Sequence, residues 1–273
     1  MNDVARLEKE AMQMLKKTSR TFYIPIKLLK PTLRKTVASA YLCMRAIDEI
    51  EDHEQLDSES KQHLLRSTSE LLKADFNYDA YSQLLAPHHD LLPEVTKRLG
   101  DWIKFCPRDI VDKVLESTRI MANGMADWVE KNWQIKTKED LDDYTYYVAG
   151  LVGVMLSDFW RWYDNTETDH ELAIGYGRGL QAINVLRNMD EDKERGVQFF
   201  PENWTREDMF EYASFNLAKA DEYMRSIKTK NIILFCRIPL ALAHRTLHAL
   251  KNGKEKISRQ EVEATVDEIL KNG

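Results

Sequence analysis

The chain has 273 residues, 43% of them hydrophobic, and a formal net charge of −6. Length and apolar content suffice for a sizeable buried core, which excludes a globally disordered protein. The acidic balance and the lack of a dominant basic stripe argue against a nucleic-acid partner.

Helical periodicity runs through most of the chain, which contains only 10 glycines and 7 prolines. In chain order, we predict helices near residues 3–18, 32–53, 58–74, 89–104, 109–131, 138–163, 168–194, 205–227, 230–251 and 258–271. Pro31 and Pro107 stand where a helix begins, a position that tolerates the missing N–H. Gly196 and Gly253 suit helix C-termini, and the sequence SRQE at 258–261 fits a capping box for the last helix.

The candidate linkers are few and short. Segments 75–90 and 196–205 separate predicted helices, but neither is long or low in complexity. We therefore predict one all-α domain that covers residues 1–273.

Cysteine usage and hydropathy bear on the compartment. Cys43, Cys106 and Cys236 lie far apart in apolar or helical settings, which favours buried, reduced thiols over disulfides or a zinc site. The N-terminal stretch is charged from Asp3 onward, unlike a signal peptide, and no run approaches the ~20 apolar residues of a membrane span. We expect a cytoplasmic protein with no transmembrane segment, for which peripheral membrane contact stays open.

The stretch AYLCMRAIDEIED carries an acidic face on a mainly apolar helix. At about 100° per residue, Tyr41, Arg45, Asp48 and Asp52 fall within roughly a quarter of the helix circumference. Buried carboxylates must be paired or must hold a metal, because isolated buried charges are too costly. The alternative is an acidic helix end that simply runs into solvent.

A second polar stripe lies in QAINVLRNMDEDKERG, which begins at Gln181. Steps of three and four residues place Gln181, Asn184, Asn188 and Asp192 along one helix face. A charged helix terminus with ordinary i,i+4 ion pairs would explain the end of this stretch. It would not explain the amides, whose neighbours are apolar.

Two facing helices with oxygen-rich stripes suit a hard cation such as Mg²⁺, which binds through a few carboxylates together with phosphate oxygens of a substrate. Arg20, Arg45 and Arg187 could neutralise such phosphates, because guanidinium pairs with them in a bidentate manner. The residues therefore predict a magnesium-dependent site for a phosphorylated substrate.

Five blocks of the sequence resemble the squalene and phytoene synthases, the head-to-head trans-isoprenyl diphosphate synthases. The blocks are SRTFYIPIKLL (19–29), YLCMRAIDEIED (41–52), YTYYVAGLVG (144–153), LQAINVLRNMDED (180–192) and FCRIPLALAHRTL (235–247). The similarity to squalene synthase is the greater one. It implies an all-α, single-domain isoprenoid-synthase (terpenoid synthase) bundle around a central cavity, which condenses two farnesyl diphosphates (C15) to presqualene diphosphate or a squalene-type product.

The resemblance also implies roles for individual residues. The metal-binding positions are Asp48, Glu51, Asp52, Asn188 and Asp192. The catalytic positions are Tyr41, Arg45, Tyr147 and Arg187, and the substrate-binding positions are Ser19, Arg20, Phe22, Gln181 and Asn184. Carbocation chemistry agrees with these roles, because it needs a water-free cavity and aromatic faces that stabilise positive charge.

The second acidic motif departs from the family pattern at two positions. Asn188 replaces its first Asp, and Val197 stands where an Arg is usual, with Arg195 two residues earlier. Asn still offers a carbonyl oxygen but no charge. Three hypotheses about the function follow: a working synthase, a farnesyl diphosphate phosphatase that releases farnesol, and a non-catalytic prenyl-diphosphate-binding relative.

NADPH, which reduces the rearranged cation in squalene synthase, is a possible cofactor with no clear motif here. Lys254 and Lys256 could contact its phosphate, but surface lysines explain them equally well.

Overall fold

The computed structural model of the protein describes residues 3–194, 196–197 and 199–272; the side chains of residues 3, 4, 20 and 272 lie outside the description. Every regular element in the described residues is helical, which confirms the predicted all-α class. The chain divides into two compact units, Met1–Asn132 and Trp133–Gly273. The predicted single domain stays a prediction.

The first unit holds eight α-helices among its described residues. They are α1 (Asp3–Thr18), α2 (Arg20–Leu28), α3 (Pro31–Glu51), α4 (Ser58–Leu71), α5 (Tyr78–Leu85), α6 (Glu94–Lys97), α7 (Leu99–Phe105) and α8 (Val111–Glu130). Helix α3 packs against α1, α6, α7 and α8, and most of its circumference is therefore buried. A helix that is apolar nearly all round finds its place at the centre of a unit.

Two buried hydroxyls fix the position of α3. The Ser39 hydroxyl donates to the Trp102 carbonyl at 2.7 Å, and the Thr96 hydroxyl donates to the Ala46 carbonyl at 3.0 Å. Buried polar groups without partners are costly, so these bonds favour one register of α3 on α6 and α7. That register sets where the acidic end of α3 lies.

The second unit holds six α-helices among its described residues. They are α9 (Lys138–Thr145), α10 (Leu151–Asp164), α11 (His170–Glu194), α12 (Arg206–Tyr223), α13 (Lys230–Lys251) and α14 (Arg259–Asn272). A π-helical turn, Tyr146–Gly150, joins α9 to α10, and a 3₁₀ turn, Met224–Ser226, follows α12. Helix α11 is the central element and contacts α10, α12 and α13.

Glycines allow α11 to approach its neighbours closely. A Cβ on Gly177 would lie 2.2 Å from the Ala149 carbonyl oxygen in the π turn, and one on Gly153 would lie 2.1 Å from that of Ala173. Both distances are far below van der Waals contact, so no side chain fits at either position. The glycines therefore allow α11 to pack directly against the segment that carries Tyr147.

The structure corrects three predicted segments. The sequence predicts no helix over residues 19–29, but this segment contains α2. The predicted linker 75–90 contains α5. Each short helix is capped by a side chain, Ser19 for α2 and Asn77 for α5, which supplies the missing acceptor. The predicted helix 89–104 is two helices, α6 and α7. Pro93 precedes α6 and disfavours helical backbone at the residue before it.

Other local predictions are confirmed. Ser258 and Glu261 form the predicted capping box through two reciprocal bonds of 2.7 and 3.2 Å. Gly196 and Gly253 adopt positive φ angles of 75° and 77°, the conformation that favours glycine at helix ends. All three cysteines are free and buried, and burial raises the pKa of the Cys106 thiol to about 12.

One helix in the described part of the chain, α13, has the length and apolar composition of a membrane span. Of its apolar window, 61% is buried inside the structure, and the core helix of a soluble protein passes the same test.

Candidate active site

The first group of predicted site residues lies where α2 meets α3. The Ser19 hydroxyl accepts the Phe22 N–H at 3.1 Å and caps α2. The Phe22 ring packs on Tyr41 of α3, with ring centroids 6.0 Å apart at 42°. Burial raises the pKa of the Tyr41 hydroxyl, opposed in part by hydrogen bonds with Ser19 and Thr18. Three predicted residues are thus brought together, whereas the side chain of Arg20 lies outside the described residues.

The acidic cluster occupies the C-terminal turn of α3. One carboxylate oxygen from each of Asp48, Glu51 and Asp52 lies within 4.8 Å of the other two. Glu51 is only 4% exposed, Asp48 is half-buried and Asp52 is exposed. Burial, followed by the negative charge of Asp52, raises the pKa of the Asp48 carboxyl to about 7. The cluster therefore concentrates negative charge that a cation would relieve.

Arg45 is held inside this cluster by its own helix. Its guanidinium donates to Asp48, and also to Glu49 with Nη2–Oε1 and Nε–Oε1 distances of 2.5 and 2.9 Å. Glu49 was not among the predicted site residues, although its i,i+4 spacing from Arg45 is a recognised signal for an ion pair. The guanidinium is therefore positioned before any substrate arrives.

Lys61 is a second cation that the sequence did not single out. It lies on α4, is 7% exposed, and its Nζ donates to the Glu51 carbonyl oxygen at 2.6 Å. A cation at a helix C-terminus interacts favourably with the helix dipole and satisfies a terminal carbonyl. Lys61 thereby secures the turn of α3 that carries the cluster.

The residues of the cluster fit a magnesium ion. Mg²⁺ takes oxygen ligands and is usually held by a few carboxylates, with water and substrate phosphates completing its coordination. Three convergent carboxylates, one with a pKa raised by burial and by the neighbouring negative charge, provide such a set.

Tyr147 lies in the π-helical turn of the second unit. Its ring meets that of Tyr146 edge to face, with centroids 5.4 Å apart. Single π turns within α-helices occur often at functional sites. Here the turn interrupts the helix that the sequence predicted as continuous over 138–163.

A polar network fixes the helix that leads into this turn. The Tyr212 hydroxyl donates to the Asp142 carboxylate at 2.7 Å, and the Arg178 guanidinium donates to the Asp142 carbonyl at 2.8 Å. The hydroxyls of Tyr212 and Thr145 lie 3.2 Å apart. Burial raises the pKa of the Tyr212 hydroxyl well above its usual range. The network joins α9 to α11 and α12, and no pattern in the sequence predicts it.

The predicted polar stripe lies on α11. The Asn184 amide donates to the Gln181 side-chain oxygen at 3.3 Å, and Arg187 Nε donates to the Asn188 side-chain oxygen at 3.2 Å. Asn184 and Arg187 are exposed, while Gln181 and Asn188 are half-buried. The stripe and the adjacent Arg187 therefore offer amide and guanidinium groups to solvent, and neighbouring side chains are already bonded to each other.

Val197, the second departure from the family pattern, lies just beyond the polar stripe. The Val197 N–H donates to the Asp192 carbonyl oxygen at 3.0 Å, a backbone bond typical of a helix C-terminus. Val197 thus lies beside Asp192 without offering it a charge, and Arg195 lies outside the described residues.

Comparison with known proteins agrees with these observations. The squalene/phytoene synthase family model matches residues 15–211. The squalene synthase of Eremothecium gossypii is 30% identical over 290 residues, which cover 93% of this chain and 64% of that protein. The squalene synthase of Dictyostelium discoideum is 29% identical over 302 residues, which cover 96% of this chain and 70% of that protein. The chain thus spans less than two thirds of the first relative's length.

Solved structures show the same fold. A TcSQS complex with the ligand BPH1237 superposes with a TM-score of 0.78 at 23% identity, covering 96% of this chain and 86% of that one. A dehydrosqualene synthase with a bound ligand gives a TM-score of 0.67 at 20% identity, covering 99% and 97%.

Proposed function

Because the chain belongs to the squalene/phytoene synthase family, we propose that it is a Mg²⁺-dependent prenyltransferase that condenses two farnesyl diphosphates head to head. The observation that carries the proposal is the cluster of three carboxylates with Arg45 held against it. A cation and a guanidinium at one place are what a diphosphate leaving group requires. The relatives named above, both squalene synthases, support the same reaction class.

In this proposal, Asp48, Glu51 and Asp52 hold the ion and Arg45 binds the diphosphate beside it. When bound, Mg²⁺ neutralises negative charge on the leaving group. The Arg45 guanidinium pairs with two phosphate oxygens at once, a geometry that a lysine would not reproduce. Because its own helix already orients it, little side-chain entropy is lost on binding.

The reaction joins two substrates with release of diphosphate and a proton. The bond between carbon 1 and oxygen of the first substrate breaks, and diphosphate leaves with the electron pair. The allylic double bond of the second substrate supplies the electrons for the new carbon–carbon bond. Loss of one proton then closes the cyclopropane ring of presqualene diphosphate.

Aromatic and polar side chains take the remaining roles. The faces of Phe22 and Tyr41 stabilise the allylic cation through their ring electrons. Tyr147 directs the proton loss, and Gln181 and Arg187 contact the second substrate. The proposal requires exclusion of water, since water would convert the cation to farnesol.

Product analysis tests this function. Purified protein is incubated with farnesyl diphosphate and Mg²⁺, with and without NADPH, and the extracted products are identified by mass. We expect presqualene diphosphate without NADPH; a C30 hydrocarbon only with NADPH would show that reduction also occurs. Farnesol as the sole product would refute condensation and establish a phosphatase, and binding without turnover would indicate a non-catalytic relative.

Two matched variants locate the chemistry. Asp48→Asn removes one charge from the cluster and should reduce turnover at least about a hundredfold, because losing a ligand should cost no less than the roughly 10–100-fold that losing an outer-shell partner costs. Glu54→Gln changes an exposed carboxylate just beyond the cluster and should leave turnover unchanged. Equal turnover by both variants would show that the metal site is elsewhere.

A further inference from the structure

A groove of about 380 Å³ lies in the second unit, beside α13, the end of α12 and the 3₁₀ turn that follows. Its apolar lining includes Met224, Ile227, Ile233 and Leu240. None of the groove residues is among the predicted site residues. Its volume is at the lower end of the range for small-molecule pockets.

Charged groups stand at two places along this groove. Arg237 and His244 are both exposed, and a spacing of seven residues places them on one face of α13, about 10.5 Å apart along its axis. His244 Nε2 lies 3.1 Å from an Asp221 carboxylate oxygen, so these two groups are paired with each other. Among the described residues, the Arg237 guanidinium has no hydrogen-bond or ion-pair partner.

We propose that this groove binds a small amphipathic molecule with a single anionic head group, an alkyl chain that carries one phosphate or carboxylate group. The chain packs on the apolar wall formed by Ile227 and Leu240, and the anionic head pairs with Arg237 in a bidentate manner. The Asp221 carboxylate at the other end repels a second anionic group. The site therefore selects against molecules that are charged at both ends.

The occupant is a free molecule rather than a lipid within a bilayer. The groove is a recess of limited volume whose lining contains one arginine, whereas recognition of an anionic membrane surface takes clusters of about 4–8 basic residues. The alkyl chain with its single anionic head group is thus the complete ligand. This inference does not depend on the proposed prenyltransferase activity.

Calorimetry of the full chain with decyl phosphate tests the proposal, in EDTA so that a divalent-metal site does not contribute. We expect saturable binding, weakened at least about tenfold by Arg237→Gln, which removes a charged hydrogen-bond donor. Ala241→Phe places a ring in the groove and should abolish binding. Arg245→Gln is the matched control, since Arg245 is ion-paired with Glu268 outside the groove lining and its loss should leave binding unchanged.

Several results would overturn the proposal. They are an equal affinity of the wild type and the Arg237→Gln variant, no saturable heat up to about 1 mM ligand, and binding that occurs only to phosphatidylglycerol vesicles. Melting curves accompany each variant. If Ala241→Phe fails to fold, the exposed Arg237→Gln substitution decides the question alone.

Discussion

Lowering the pH should weaken magnesium binding at the acidic cluster, by an amount that follows from the pKa of Asp48. Burial and the adjacent Asp52 charge raise the pKa of Asp48 to about 7. Metal ligands must be deprotonated, so bound metal competes with this proton. The deprotonated fraction is about nine tenths near pH 8 and about one tenth near pH 6. The apparent affinity for Mg²⁺ should therefore fall about tenfold between these values.

The raised pKa of Asp48 also determines how the stability of the metal-free protein changes with pH. A carboxyl whose pKa is raised by folding binds its proton more tightly in the folded state. The metal-free protein should therefore lose stability as the pH rises from the ordinary carboxyl value to about 7. Added Mg²⁺ should stabilise the protein most above that range, where the carboxylates are charged and available.

Isothermal calorimetry with Mg²⁺ near pH 6, 7 and 8 measures this dependence. The Asp52→Asn variant sharpens the test, because it removes the charge that is the second cause of the raised pKa of Asp48. Its affinity should be lower overall and should vary less with pH. An affinity of the wild type that is constant over this interval would refute the assignment of Asp48 as a ligand with a raised pKa.

Three further substitutions test the framework around the site. Lys61→Met leaves the Glu51 carbonyl without its donor and should lower the free energy of unfolding by about 1–3 kcal/mol, measured by denaturant titration. Gly177→Ala places a methyl group against the Ala149 carbonyl oxygen and should cost about 1–3 kcal/mol in the same assay. Asn188→Asp restores a carboxylate on α11 and should raise the yield of condensed product relative to farnesol in the product assay.

A matched control for Lys61→Met is available in the chain, and each of the three substitutions has an outcome that would contradict its expectation. Lys73 forms a surface ion pair with Glu70, so Lys73→Met should change the stability by less than about 1 kcal/mol. Unchanged stability of the Lys61 variant would mean that water replaces its hydrogen bond. Unchanged stability for Gly177→Ala would show that α11 moves away from the π turn at little cost. An identical product ratio for Asn188→Asp would mean that the amide oxygen already suffices.

The sequence predicted long helices well and short ones poorly. Helices α3 and α11 carry several turns of consistent periodicity, which tertiary contacts reinforce. Helices α2 and α5 have only nine and eight residues, too few for a periodic pattern, and their caps at Ser19 and Asn77 are the clearer signals. Attention to capping residues would have found both.

Within the candidate site, helical periodicity predicted the residues that share one face of a single helix. The face shared by Arg45, Asp48 and Asp52 follows from periodicity alone, and the structure contains it. Glu51 was predicted as a metal-binding residue only from the family resemblance, because helical spacing places it outside that face. Lys61 could not be predicted, since it reaches the cluster from another helix.

The π turn at Tyr146–Gly150 amounts to one extra residue wound into an otherwise continuous helix. In a regular α-helix one extra residue would rotate everything beyond it by about 100°, and the wider π turn absorbs that rotation. Gly153 therefore still faces the Ala173 carbonyl, although the helix before it holds one more residue. A relative that lacks one residue here can run as a regular α-helix and keep the same contacts, so this turn is the place where the helix can change length without changing the face it presents.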